Sequence, residues 1–306
     1  MYNTVRLDEQ HWCYQRYLWK EDLDVSKESE EKIIKTLIYG VKLSGNQAGY
    51  ALLKVAEIQQ EKYPEVYIII QDDTYVDDCL TGGEDHPKAY QIFDEMEIVL
   101  NGGEFLSKGV AFSGEDPPTS LSDDGKTIFV AGMKWHVKED MLSLNIGELN
   151  FAKKHRGKKP ANSTAIIPTK FTRRHCASKV AEVYDLSGRI SPLIASMKID
   201  LQELIHRKLD WVDVIPDSLR PVWESNFQLM KEIGTLKFKR AVVLEDAVNM
   251  DINTLDFGDA SPWIACIVIY ARFLRKNGEY SCQLIFSRTK TVPEEYAQPR
   301  GELYAK

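Results

Sequence analysis

The stretch Thr74-Tyr75-Val76-Asp77-Asp78-Cys79-Leu80-Thr81, followed by Gly82-Gly83, constrains the chain more than any other. β-prone residues flank a short step that ends in adjacent aspartates, the pattern of a strand-turn-strand hairpin. Such a hairpin carries two carboxylates at its tip, and hard divalent cations such as Mg²⁺ take oxygen ligands of that kind. Paired ions held this way form a clamp for phosphoryl transfer. Aspartate pairs are also ordinary turn residues, because their side chains bond nearby backbone amides. Asp72-Asp73 and Asp123-Asp124 occur in the same chain. The dipeptide alone reads more readily as a solvated turn.

At 306 residues and 43% hydrophobic, the chain is long enough to bury a sizeable core and to form about two domains. No apolar run approaches the roughly 18 residues of a membrane span, and neither end reads as a cleavable leader. The expectation is an intracellular globular protein with no membrane partner. Five widely spaced cysteines, with no pair at metal-ligand spacing, favour reduced thiols and argue against a zinc site. The net charge of -7 argues against nucleic-acid binding until the charge is located. Lys153, Lys154, Arg156, Lys158, Lys159, Lys170, Arg173, Arg174 and Lys179 fall between Phe151 and Val180, where no acidic residue occurs. Local polarity of this kind matters more for phosphate contact than the global sum. A solvated loop is the other reading of that stretch.

Along the chain, Gln15-Arg16-Tyr17-Leu18-Trp19 is β-prone, and 20–32 is a charged turn. The run 33–41 reads as a buried strand, and Lys42 to Gly49 as a glycine-bearing loop. That loop is either a plain connection or a place where a ligand approaches the main chain. Helical spacing follows at Ala48, Leu52, Val55, Ala56 and Ile58. Val66 to Ile70 reads as a strand leading into the tetrad. A second helix is capped by Asp85, with Pro87 in its first turn and Gly102-Gly103 at its end. Gly114 to Lys126 is the clearest linker. Beyond it, 127–136 and 141–146 read as two strands. The run 171–223 is mainly helical, with Trp211 and Trp223 expected to plug a core. Leu255 to Ser261, Trp263 to Phe273 and Ser281 to Ser287 read as three strands, with Arg275-Lys276-Asn277-Gly278 a hairpin turn.

Taken in order, these pieces resemble the polymerase region of Pao/BEL-type long-terminal-repeat retrotransposons over essentially the whole chain. Gln15 to Trp19 resembles the strand after that family's first catalytic aspartate. Gly40-Val41-Lys42-Leu43-Ser44-Gly45-Asn46-Gln47-Ala48 resembles its substrate-contacting palm loop, and Tyr75-Val76-Asp77-Asp78 its metal-binding tetrad. Ala131-Gly132-Met133-Lys134-Trp135 is similar to its glycine-to-tryptophan strand. Phe171-Thr172-Arg173-Arg174, Val180 to Asp185 and Lys208 to Trp211 are similar to its thumb and connection. Phe257-Gly258-Asp259-Ala260-Ser261 through Pro299-Arg300-Gly301-Glu302-Leu303 resembles the start of its ribonuclease H domain.

The resemblance implies an α+β chain: a reverse-transcriptase palm over 1–113 with the tetrad hairpin, a mainly helical thumb and connection over 114–248, and an incomplete ribonuclease H-like sheet over 249–306. It implies RNA-directed DNA polymerisation with Mg²⁺ or Mn²⁺. Asp77 and Asp78 would bind the metal, Tyr75 would pack near the primer end, and Gly45 and Gln47 would line nucleotide or template. Lys153, Lys154, Arg156, Lys158, Lys159, Arg173 and Arg174 would hold the nucleic-acid backbone. Asp259 and Glu302 would match the first two ribonuclease H carboxylates. The implied partners are an RNA template, a DNA primer, deoxynucleoside triphosphates and the remaining parts of the parent polyprotein, in the cytoplasm within a virus-like particle. Three departures stand out. The family's first palm aspartate precedes the segment matching Met1-Tyr2-Asn3, Gly301 stands where leucine is usual, and Asp185-Leu186-Ser187-Gly188-Arg189 lacks the family's proline. The expectation is therefore a segment crippled as a polymerase, or a non-catalytic nucleic-acid-binding remnant.

Overall fold

The computed structural model describes residues 1–20, 26, 28–146, 149, 151, 167–243, 246–248, 253–293 and 301. The chain divides into two compact units, Met1–Gly125 and Lys126–Lys306. Among the described residues no helix is long and apolar enough to cross a membrane.

In the first unit β1 (Arg16–Trp19) pairs antiparallel with β2 (Glu30–Ile33). The expected strand over 33–41 forms only at its start. Beyond Ile33 the backbone makes isolated bonds to the first residues of the chain, Leu7 N to Lys35 O and Leu37 N to Val5 O. Only Leu37 of that run is buried. Three helices follow: α1 (Ser44–Ile58), α2 (Pro64–Asp72) and, beyond the hairpin β3 (Thr74–Tyr75) and β4 (Asp78–Cys79), α3 (His86–Gly102).

α2 replaces the strand expected at Val66 to Ile70. An apolar run this short carries no period of its own. Pro64 in the first turn starts a helix, and burial of Val66, Ile69 and Ile70 at helical spacing fixes it. Asp85 caps α3 as expected, its Oδ1 accepting from Lys88 N at 2.8 Å. The core joins Leu52, Ala56, Val66, Ile70, Val99 and Phe105.

The second unit opens with a four-stranded antiparallel sheet, in the order β5 (Thr127–Val130), β6 (Met133–His136), β7 (Met141–Leu144), β8 (Lys237–Lys239). The single strand expected over 127–136 is a hairpin, because Ala131 (φ 45°) and Gly132 (φ 78°) both take the left-handed conformation of a two-residue turn. β8 ties the next turn down. Arg240 makes two bonds to the Asp140 carboxylate, at 2.6 and 3.1 Å, and Lys237 pairs with Glu139 at 2.6 Å.

Helices α4 (Arg173–Glu182), α5 (Ser191–His206) and α6 (Arg220–Ile233) bury Phe171, Cys176, Met197, Leu204, Trp223, Phe227 and Met230 between them. Trp223 is a core residue as expected. Trp211 is 47% exposed, with the Arg173 guanidinium over its ring at 4.7 Å instead.

The last sheet has the order β11 (Tyr280–Thr291), β10 (Ile264–Leu274), β9 (Asn253–Ala260), all antiparallel. Its hairpin turn falls at Arg275 to Gly278 as expected, with Gly278 at φ 83°. Among the described residues the outer side of β9 is unpaired. α5 packs on β11, and the α4–α5 loop docks beside it. In that loop the Asp185 carboxylate accepts from Arg189 N (3.0 Å) and Ile190 N (2.8 Å), and Ser187 O accepts from Ser287 N at 3.0 Å.

Gly188 has φ 72°, and a Cβ there would lie 1.8 Å from the Ser287 carbonyl oxygen. Strain and overpacking of this kind each cost about 1–3 kcal/mol. Gly188→Ala is therefore expected to destabilise the second unit by at least about 2 kcal/mol, read as a lowered denaturant midpoint. An unchanged midpoint would mean that the loop does not dock on β11.

Candidate functional site

The Asp77-Asp78 pair sits on the smallest element of the fold. Thr74 pairs with Cys79 and Tyr75 with Asp78, and Leu80 N donates to Asp73 O at 3.0 Å below them. That leaves Val76-Asp77 as a two-residue turn. Val76 has φ 58°, the conformation that glycine favours at the first turn position. A β-branched residue there stores about 1–3 kcal/mol of strain, a cost that gathers at functional sites. Asp77 is exposed at the tip, and Asp78 is half-buried on the second strand. The structure thus brings Tyr75 and Asp78 together across one ladder. Gly45 and Gln47 lie in the first turn of α1, where a Cβ on Gly45 would stand 3.4 Å from the Tyr2 hydroxyl.

The second acidic position is Asp259, one residue before the end of β9. It is exposed, with Oδ1 accepting from Ala260 N at 2.9 Å. Asp259 stands directly opposite Cys266 on β10, and Cys266 directly opposite Thr289 on β11. Residues paired this way face the same side of a sheet. On the other side Ala260, Ala265 and Val292 form a small core cluster. The buried Gly301 backs onto it, where a Cβ would lie 3.5 Å from Ala260 Cβ and 3.7 Å from Val292. That contact is ordinary van der Waals packing, so no clash demands glycine here. Glu302 lies outside the described residues. Among the described residues no group of three or more His, Cys, Asp and Glu is placed to hold a metal ion.

Of the expected backbone-binding residues, Lys153, Lys154, Arg156, Lys158 and Lys159 lie outside the described residues. Arg173 and Arg174 stand in the first turn of α4. The Arg173 guanidinium donates to Leu209 O at 2.6 Å and covers the Trp211 ring, so it holds the 209–213 loop. Arg174 is exposed. Lys179 is 3% exposed and pairs with Glu182 at 2.7 Å. Glu182, three residues further along the helix, was the sequence sign of that pairing.

Below them, burial and the neighbouring Lys179 and Arg174 charges push His175 beneath the ordinary imidazole range. Its Nδ1 accepts from Thr172 N at 3.1 Å. Burial drives the Cys176 thiol far up, which leaves it a packing residue. Sequence reasoning also passed over Lys198, whose Nζ donates to Thr289 O at 2.7 Å and to Thr289 Oγ1 at 3.2 Å. It is the one cation between Pro192 and Ile205 in an otherwise largely apolar helix.

Residues 172–306 match the family model of the Pao retrotransposon-like RNaseH-like domain. The match supports a Pao-type retrotransposon protein. The Pao-type match starts at the N-cap of α4 and runs through β9, β10 and β11, so it takes in the helices together with the sheet they pack on. Residues 172–306 are thus similar to an RNase H-like domain of the Pao retrotransposon type. No curated protein matches the chain.

Two outcomes are expected. Val76→Gly removes the strained Cβ and should hold or raise thermal stability, by up to about 2 kcal/mol, because glycine's own entropic cost is only about 0.5–1 kcal/mol; a clear loss would mean that the turn is not strained. His175 is held neutral in the fold, so the unfolded chain takes up the proton first as pH falls. Stability is then full above the ordinary imidazole value of about 6.5 and declines below it. Calorimetry from pH 8 to 5 should show that decline in the wild type and a flatter profile in His175→Gln.

Proposed function

We propose that the chain is a reverse-transcriptase and ribonuclease H segment of a Pao/BEL-type retrotransposon, acting on nucleic acid through two acidic centres. The observation that supports this most is the Tyr75–Asp78 hairpin, with its adjacent aspartates beside a strained turn. Asp77 and Asp78 offer the oxygen donors that Mg²⁺ or Mn²⁺ prefers. A metal bound there would polarise phosphoryl oxygens. The fit is partial: two-metal chemistry calls for a further carboxylate, and among the described residues none joins the pair.

In this reading Tyr75 packs near the primer end, and Gly45 and Gln47 line nucleotide or template. The basic run from Lys153, with the exposed Arg174, holds the backbone. Asp259 and Glu302 are the acidic residues of the ribonuclease H-like centre. The ligands are an RNA template, a DNA primer and deoxynucleoside triphosphates, within the cytoplasmic particle of the parent element. The absence of a third ligand among the described residues favours a second reading, a nucleic-acid binder without polymerase activity.

The test is Mn²⁺ titration by calorimetry alongside extension of a labelled DNA primer on RNA, with the wild type beside the double variant Asp77→Asn, Asp78→Asn. The expected result is Mn²⁺ binding weakened at least tenfold in the variant, and salt-sensitive primer-template binding with no extension in either protein. Metal binding indifferent to both aspartates would reduce the pair to a solvated turn. Processive extension by the wild type would sink the second reading.

A further inference from the structure

α5 presents two unlike faces. Leu193, Met197, Leu201 and Leu204 pack into the helical core, whereas Lys198, Gln202 and His206 recur every four residues and so share another stripe. That stripe lies against the sheet: Lys198 reaches Thr289 on β11, and the His206 ring stands 6.4 Å from the Trp263 ring in the β9–β10 turn. The half-buried Lys198 ammonium has only the neutral carbonyl and hydroxyl of Thr289 as partners, and among the described residues no carboxylate pairs with it. Burial and the nearby Arg288 charge both disfavour its charged form. An ammonium withdrawn from water without a counter-charge is costly unless an anion joins it. Gln202, one turn on, buries Oε1 with no partner, so the stripe carries a second unmet polar group.

Position decides which anion. Thr289 belongs to the cross-strand row Asp259–Cys266–Thr289, whose side chains face one side of the sheet. Two strand spacings, about 10 Å, separate its ends. An ammonium thus stands on the same sheet face as the acidic position, and no other carboxylate of that row lies between them. We infer that Lys198 contacts a backbone phosphate of an RNA–DNA duplex lying across the Asp259 row, as a positioning residue for that centre. The inference rests on the nucleic-acid reading given above. A phosphate there supplies the missing counter-charge and sets the strand at a fixed step from Asp259.

The experiment uses the full chain and a labelled RNA–DNA duplex, with affinity read by fluorescence anisotropy over a series of salt concentrations. Lys198→Gln keeps a donor for Thr289 and removes the charge, whereas Lys198→Arg keeps the charge. Loss of one phosphate contact lowers the steepness of log affinity against log salt by about 0.7–0.9. That decrease is expected for Lys198→Gln and not for Lys198→Arg, with thermal midpoints close to wild type. Should the Gln variant fail to fold, Lys198→Met keeps the alkyl stem and is read the same way. An unchanged slope in a folded, charge-free variant overturns the inference and leaves the parent reading standing. Wild-type protein with no salt-sensitive duplex binding overturns both.

Discussion

The docking of α5 and its preceding loop onto β11 is the contact on which the second unit depends. The three helices carry the large apolar core of this unit, whereas the three-stranded sheet has only the small cluster of Ala260, Ala265 and Val292 and gains from packing against a helix. Lys198 on Thr289, the Ser187 carbonyl on Ser287 N, and Gly188 against the Ser287 carbonyl bring the two parts into a single body. None of these contacts is apolar. They position the helices on the strand, while the buried Met197 and Leu204 on the other side of α5 supply the stabilisation. A boundary drawn between helices and sheet would cut through this contact, and the span of the family match, which begins before α4 and takes in the sheet, keeps it whole.

The first unit is built on a different logic. Its helices close around a small apolar centre, and its acidic pair is held by a hairpin of only two ladder steps. An element so short has no packing to dictate its turn. The left-handed Val76 is therefore imposed by how closely α2 and the hairpin follow one another in the chain, with Asp73 closing the helix and accepting from Leu80 at once. Strain of that type persists only where the surroundings over-determine it.

The sequence was most readable where local chemistry carries its own signature. The Asp85 cap, the Gly278 hairpin, the α1 stripe and the three late strands all follow from side-chain type and spacing. It misled where identity depends on what lies across the fold. Val66 to Ile70 is as apolar as any strand, and only its burial against α1 and α3 makes it a helix. Ala131 gave no sign of a turn, because alanine seldom takes positive φ; Gly132 was the clue, and the Tyr184 ring leaves no room for a Cβ there. The candidate site divides in the same way. Asp77, Asp78 and Asp259 were visible as motifs, whereas the placement of Lys198 shows only in its contact with Thr289, 91 residues further along the chain.

Among the described residues the outer side of β9 is open, and this bears on how Asp259 can be handled. An unpaired strand edge is a template for another chain, and Phe257 on that edge is 59% exposed. Asp256 and Asp259 flank it, one on each face of the strand, and their charges repel an approaching copy. Asp259 is thus a guard against self-association as well as a metal-ligand candidate. Neutralising it removes half of that guard, so a silent variant at this position is inseparable from a stickier one unless its solubility is measured too.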